Sequence, residues 1–167
     1  MTPKLFVKSF LKDAQLCEKT TGISAIAILA QAALESGWGE FAPNNMFFGI
    51  KDTDGVNGNE QLLTTTEYSR SANYPFPNII SVTPVIRNGQ KWFKYKIKDY
   101  FRKYNTPAES FIDHSQFFLK NKRYAKALLV KSDYNKFFDE IAKAGYATAP
   151  NYADFLKSIA KTIVKNI

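Results

Sequence analysis

From Ala25 to Leu34 the chain is an almost unbroken apolar run, and it closes on Glu35-Ser36-Gly37-Trp38-Gly39. The run is too short for a membrane span of about 20 residues, so it reads as one helix of a folded protein. Ser24 is a suitable N-cap and Gly37 a natural stop, which sets the helix at roughly Ser24 to Ser36. Glu35 then falls in its last turn, against Trp38. The negative end of the helix dipole and low-dielectric surroundings both disfavour an ionised carboxylate, so the Glu35 pKa is expected to be raised. A carboxylic acid that keeps its proton near neutral pH is what a general acid in glycoside cleavage requires. The competing reading is a half-exposed Glu at a fraying helix end with no role. Gln31 lies one turn earlier on the same face, placed to orient Glu35 or a sugar.

Beyond Trp38 the stretch Phe41-Ala42-Pro43-Asn44-Asn45-Met46-Phe47-Phe48-Gly49-Ile50-Lys51 is turn-rich and sets aromatics beside amides. Rings cover pyranose faces while amides and backbone groups bond hydroxyls and acetamides, so Trp38, Asn44, Asn45 and Phe47 are candidate sugar-binding residues.

The two segments together, A-Q-A-A-L-E-S-G-W-G and N-N-M-F-F-G-I-K, resemble the bacterial peptidoglycan hydrolases of the flagellar-muramidase and autolysin type. This is glycoside hydrolase family seventy-three, mannosyl-glycoprotein endo-β-N-acetylglucosaminidase-like. The resemblance continues through Thr65-Thr66-Glu67-Tyr68, Ser110-Phe111-Ile112-Asp113-His114, Asn121-Lys122-Arg123-Tyr124-Ala125 and Ala144 to Ala153. It implies a lysozyme-like fold, α+β and mostly α, with a helical lobe and a small β-hairpin lobe. It also implies hydrolysis of the β-1,4 bond after N-acetylglucosamine in cell-wall glycan. Glu35 matches the catalytic acid and Glu67 the second carboxylate; Asp113, Tyr124 and Tyr146 fall in matched segments and are candidates for supporting or lining the site. The sequence departs from the family pattern after Tyr68, where Ser69 to Phe76 intervenes and Phe101-Arg102-Lys103-Tyr104 arrives late. The β-lobe is therefore expected to be enlarged, with Glu60 a competitor for the place of Glu67.

Two carboxylates suffice for the chemistry, with a separation of about 5 Å implying retention and roughly 6.5–9.5 Å inversion, and the substrate acetamide offering a third, assisted route. A lytic transglycosylase needs one Glu only. A non-catalytic peptidoglycan-binding component would keep the fold without the reaction.

Length and composition alone indicate one soluble globular domain, since 167 residues with 45% hydrophobic content can bury one good core; the resemblance makes it a single glucosaminidase domain over residues 1–167, with the β-lobe at about 60–104. Cys17 is the single cysteine, which excludes an internal disulfide and makes it a small core residue. His114 is the single histidine, which excludes multi-histidine zinc sites; no metal or other cofactor is expected. Lys4, Lys8 and Lys12 interrupt the N-terminal apolar residues, so no signal peptide is visible. The net charge of +8 suits glycan strands carrying anionic wall polymers. The basic residues accompany no nucleic-acid motif, and the resemblance implies bacterial peptidoglycan as the partner, met at the wall by a monomer without membrane insertion.

The remaining elements follow from local signals. Helices are expected near 3–19, from Thr106-Pro107-Ala108-Glu109 to about Lys120, briefly from Arg123, from Ser132 or Asp133 to before Gly145, and from about Asn151 to Lys165 with Tyr152, Phe155, Ile159 and Ile163 on one face. Asn88-Gly89 between Val82–Ile86 and Trp92–Ile97 is a hairpin signature.

Overall fold

Thr2 starts the first helix, α1 (Pro3–Thr21): its hydroxyl accepts from the Leu5 N–H, Pro3 occupies the first turn, and Gly22 closes the other end in the left-handed conformation. The structure, a computed structural model, describes residues 1–167 and falls into two units. A helical unit comprises Met1–Gly49 and Tyr104–Ile167, and a sheet unit comprises Ile50–Lys103. The chain is α+β and mostly α, as the sequence implies.

The helical unit is built around α2 (Ala25–Ser36), whose residues from Ala25 to Ala33 are buried at every position except Ile26. Such all-round burial needs neighbours on every side. They are α1, α3 (Pro107–Lys120), α5 (Tyr134–Lys143) and α6 (Tyr152–Val164), all of which pack on it. Between α3 and α5 lie a short 3-10 turn at Lys122–Tyr124 and α4 (Ala125–Leu128). Ser24 caps α2 through its backbone, with its N–H bonded to the Lys131 carbonyl and its own carbonyl accepting from Ile28. Thr106 caps α3 by accepting from the Glu109 N–H at 3.2 Å, and Glu109 reaches back to the Asn105 N–H at 2.9 Å, one residue before the expected partner. Asp133 caps α5. Cys17 is fully buried, 3.2 Å from the Ser115 hydroxyl, and burial pushes its thiol up.

One expectation for α6 is corrected. Its buried face is Tyr152, Leu156, Ala160 and Ile163, whereas Phe155 is 52% exposed.

The sheet unit holds three antiparallel strands in the order β1 (Glu60–Ser69), β3 (Gln90–Arg102), β2 (Ile79–Arg87). Asn88 and Gly89, both at positive φ, make the tight β2–β3 turn, as the Asn-Gly dipeptide predicts. The strands run longer than the hairpin expected, and β1 adds the third strand. The register sets Glu67 opposite Tyr95, Thr65 opposite Ile97 and Leu63 opposite Asp99, so these share one face; Tyr95 and Ile97 on it are fully buried. Segment 71–76 supports that face: the Tyr95 hydroxyl donates to the Ser71 carbonyl at 2.6 Å and accepts from the Tyr74 N–H, while Phe76 packs edge-on against its ring.

Candidate active site

Glu35 stands one residue before the end of α2, where Gly37, Trp38 and Gly39 all take positive φ and turn the chain sharply. Ser36 fixes that turn by donating its hydroxyl to the Ala32 carbonyl and accepting from the Gly39 N–H at 2.9 Å. Trp38 has φ 58°, rare for a bulky residue, and its ring is held edge-on by Phe6 at 5.5 Å. The last turn of α2 is thereby locked. Glu35 keeps solvent access, yet the surrounding protein strips enough hydration from its carboxyl to raise its pKa, the direction expected from sequence.

Behind Glu35 lies a cluster of hydroxyl-bearing rings. Burial, and among lesser causes the charge of Glu35, pushes the Tyr146 and Tyr152 phenols well above their ordinary range, so both stay protonated. The Tyr152 hydroxyl accepts from the Gln31 amide at 3.3 Å, and the Tyr146 hydroxyl lies 2.8 Å from His114 Nε2. Gln31 is 1% exposed, so its contact is with Tyr152 rather than open solvent. His114 stacks on Phe48 at 3.7 Å between centroids and 7° between planes, and burial lowers its pKa to about 3. Tyr124 is 2% exposed and packs with Phe117, Phe118 and Tyr146. Chemically, the arrangement offers one carboxylic acid of raised pKa beside neutral hydroxyls that can donate or accept without changing charge.

The other residues singled out in the helical unit divide. Asn44 and Asn45 stand at positive φ in the 3-10 turn Pro43–Asn45; the Asn44 carbonyl accepts from the Tyr104 N–H and the Asn45 amide donates to the Tyr104 carbonyl at 3.0 Å. Phe47 corrects an expectation. It is 3% exposed and packs among Phe6, Phe10 and Phe111, so its ring belongs to the core, while its half-buried neighbour Phe48 carries the stack on His114. Asp113 accepts from the Tyr104 hydroxyl at 2.6 Å, a bond that ties the start of α3's approach to its body. Sequence reasoning did not place Tyr152, Phe48 or His114 among the site residues. Tyr152 carried a signal, since it lies in the last matched segment; the roles of Phe48 and His114 depend on contacts that no local pattern announces.

In the sheet unit Glu67 is half-buried on β1 and pairs with Lys51 Nζ at 3.2 Å, while the same ammonium meets Asp99 at 2.9 Å. The Asp99 bond, first among the causes, and the pairing with Glu67 raise the Lys51 pKa. Glu60, the competitor, accepts from the Gly58 N–H at 2.6 Å and lines a shallow concavity with Asp52, Asn57 and Tyr100.

Known proteins share both sequence and fold with this chain. The glucosaminidase family, described as mannosyl-glycoprotein endo-beta-N-acetylglucosaminidase, matches residues 11–165. Peptidoglycan hydrolase FlgJ of Vibrio parahaemolyticus is 32% identical over 168 residues, covering 97% of this chain and 48% of that protein. Exo-glucosaminidase LytG of Bacillus subtilis is 28% identical over 165 residues, covering 95% of this chain and 50% of that protein. The chain thus spans about half the length of these curated relatives. Among solved structures, the C-terminally truncated glycoside hydrolase domain of Salmonella typhimurium FlgJ superposes with a TM-score of 0.73 at 30% identity, over 98% of this chain and 99% of that one. The catalytic domain of the autolysin Auto from Listeria monocytogenes gives 0.72 at 25% identity, over 99% and 87%.

Proposed function

This chain belongs to the mannosyl-glycoprotein endo-β-N-acetylglucosaminidase family, and from that premise we propose that it hydrolyses the β-1,4 bonds of bacterial peptidoglycan after N-acetylglucosamine, with Glu35 as general acid. The observation that carries the assignment is the raised pKa of Glu35 at a locked helix end, beside the phenols of Tyr146 and Tyr152. A protonated Glu35 donates to the departing glycosidic oxygen as the bond to the anomeric carbon breaks. The phenols remain neutral throughout and take no proton from it. Gln31, bonded to Tyr152, holds that ring in place.

The second carboxylate of the reaction is assigned to Glu67, which either attacks the anomeric carbon or activates water; if the substrate acetamide attacks instead, Glu67 orients rather than reacts. Trp38, Asn44, Asn45, Asp113 and Tyr124 support the sugar or the rings around it. The helical and sheet units together constitute one glucosaminidase domain, acting as a monomer on the cell wall, where the +8 charge favours approach to anionic polymers.

The decisive experiment is Glu35→Gln on purified peptidoglycan. Cleavage is expected to fall by at least about a hundredfold, the lower range for general-acid catalysis, with the circular dichroism spectrum intact. A folded variant that retains most of its activity refutes the role. Mass spectrometry of wild-type products settles the bond: reducing N-acetylglucosamine ends support this reading, reducing muramic ends redirect it to a muramidase, and anhydro ends to a lytic transglycosylase.

A further inference from the structure

The two faces of the three-stranded sheet differ in charge. Glu67 and Asp99 share the face that carries Tyr95 and Ile97, and both are engaged by Lys51. On the opposite face, β3 presents Lys94, Lys96 and Lys98 in alternation, all exposed. Residues directly opposite one another point the same way, so the register places Thr64, Thr66 and Tyr68 of β1 and Ser81, Thr83 and Arg87 of β2 on this lysine face. Arg87 lies 4.0 Å over the Tyr68 ring and 5.6 Å over Trp92, and Arg70 caps Trp92 at 5.2 Å while donating to Gln90. The acidic residue that shares this face, Glu60, stands at the far end of β1, beyond Leu62, with its carboxylate accepting from Gly58. None of Lys94, Lys96 or Lys98 takes part in the ion pairs of the sheet unit.

Like charges side by side on a strand repel, and a fold gains nothing from lining up three lysines with no acid between them. We propose that this face is a docking surface for an extended polyphosphodiester of the wall, a polymer in which polyol units are joined through phosphates. The proposal rests on the wall-hydrolase reading for the place where such a polymer is met. Alternate residues of a strand stand about 6.8 Å apart, so the lysines form a straight cation ladder suited to a flexible chain with a phosphate on each short repeat. The flanking hydroxyls of Thr64, Thr66, Ser81 and Thr83 supply donors for phosphate and polyol oxygens. Single-stranded nucleic acid fits less well, because it binds by stacking successive bases on a series of open rings, and here Tyr68 and Trp92 are covered by Arg87 and Arg70, which leaves Tyr100, beyond Lys98, as a single uncovered ring. The surface holds the enzyme on the wall and performs no chemistry.

The test is a binding series with the full chain at low salt, using purified polyglycerol phosphate, sacculi with and without their phosphodiester polymers, phosphatidylglycerol vesicles and a single-stranded oligonucleotide. The triple substitution Lys94→Gln, Lys96→Gln, Lys98→Gln is expected to weaken binding to polyglycerol phosphate and to polymer-bearing sacculi by roughly tenfold to a hundredfold, scaling from the worth of a lysine at an anionic surface. Replacing the same three residues by Arg is expected to preserve binding, which separates lost charge from lost folding. Stripped sacculi should bind wild type and the Gln variant alike. Unchanged affinity of a folded Gln variant overturns the proposal, as does tighter binding of the oligonucleotide or the vesicles than of polyglycerol phosphate. Failure of the wild type to hydrolyse stripped sacculi would count against the proposed function and leave the binding result to decide the docking surface by itself.

Discussion

His114 couples the stability of the helical unit to acidity. Its ring is 6% exposed, stacked on Phe48, edge-on to Phe118 and bonded to Tyr146, and the loss of hydration lowers its pKa from the ordinary 6.5 to about 3. In the unfolded chain it takes up a proton near 6.5; in the folded chain it does so only near 3. Between those values the unfolded state binds the extra proton, so this contribution is fully present above about pH 6.5 and is lost as pH falls toward 3. Going from pH 7.5 to pH 5 traverses about 1.5 units below the unfolded pKa, which at 1.36 kcal/mol per unit removes about 2 kcal/mol. The figure is set by the unfolded value and holds for any folded pKa well below 5. Urea unfolding of wild type and His114→Gln at both pH values isolates it, because other titrating groups act on both proteins. With a slope near 2 kcal/mol/M, the wild-type midpoint should drop by about 1 M more than that of the variant. Equal drops would show that His114 protonates without cost in the fold and that its burial has been misjudged.

Three further outcomes are expected. Because Glu35 must be protonated to act and its pKa is raised, the maximal rate should persist to higher pH than an ordinary Glu would allow and then fall as pH rises through that pKa; a rate that climbs steadily through the neutral range refutes its role as acid. Phe118, 1% exposed and in contact with His114, Tyr124, Phe137 and Tyr146, should cost about 3–5 kcal/mol when changed to Ala, read by urea unfolding. Glu67→Gln should lower the maximal rate strongly while leaving glycan binding largely intact, with Glu60→Gln near wild type; a silent Glu67 beside a crippled Glu60 transfers the second carboxylate to Glu60.

How far the sequence announces this fold depends on whether a signal is local. The ends of α2 and α3 and the Asn88-Gly89 turn are written in caps and dihedral preferences of adjacent residues, and the structure has them where those signals place them. The face of α6 shows the limit of periodicity. From Tyr152 to Ile163 the steps three, four, four pass through Phe155 and Ile159, and the steps four, four, three pass through Leu156 and Ala160; both are helical stripes with the same two ends. The choice between them belongs to α2, against which α6 packs. The buried residues of α2 are rich in alanines and the buried face of α6 includes the small Ala160, a combination that suits close approach of the two helices, while Phe155 stays exposed. The same reasoning covers Phe47 and Phe48. In a segment of irregular backbone no period tells consecutive rings apart, so only the positions of Phe6, Phe10 and Phe111 on other elements decide that Phe47 is core and Phe48 the partner of His114. Glu35 was legible because the groups that fix its backbone, from Ser36 to Gly39, are its immediate neighbours, whereas the ammonium that Glu67 shares with Asp99 is placed by strand register and by the bridge between Lys51 and Phe101, pairings that no neighbouring residue announces.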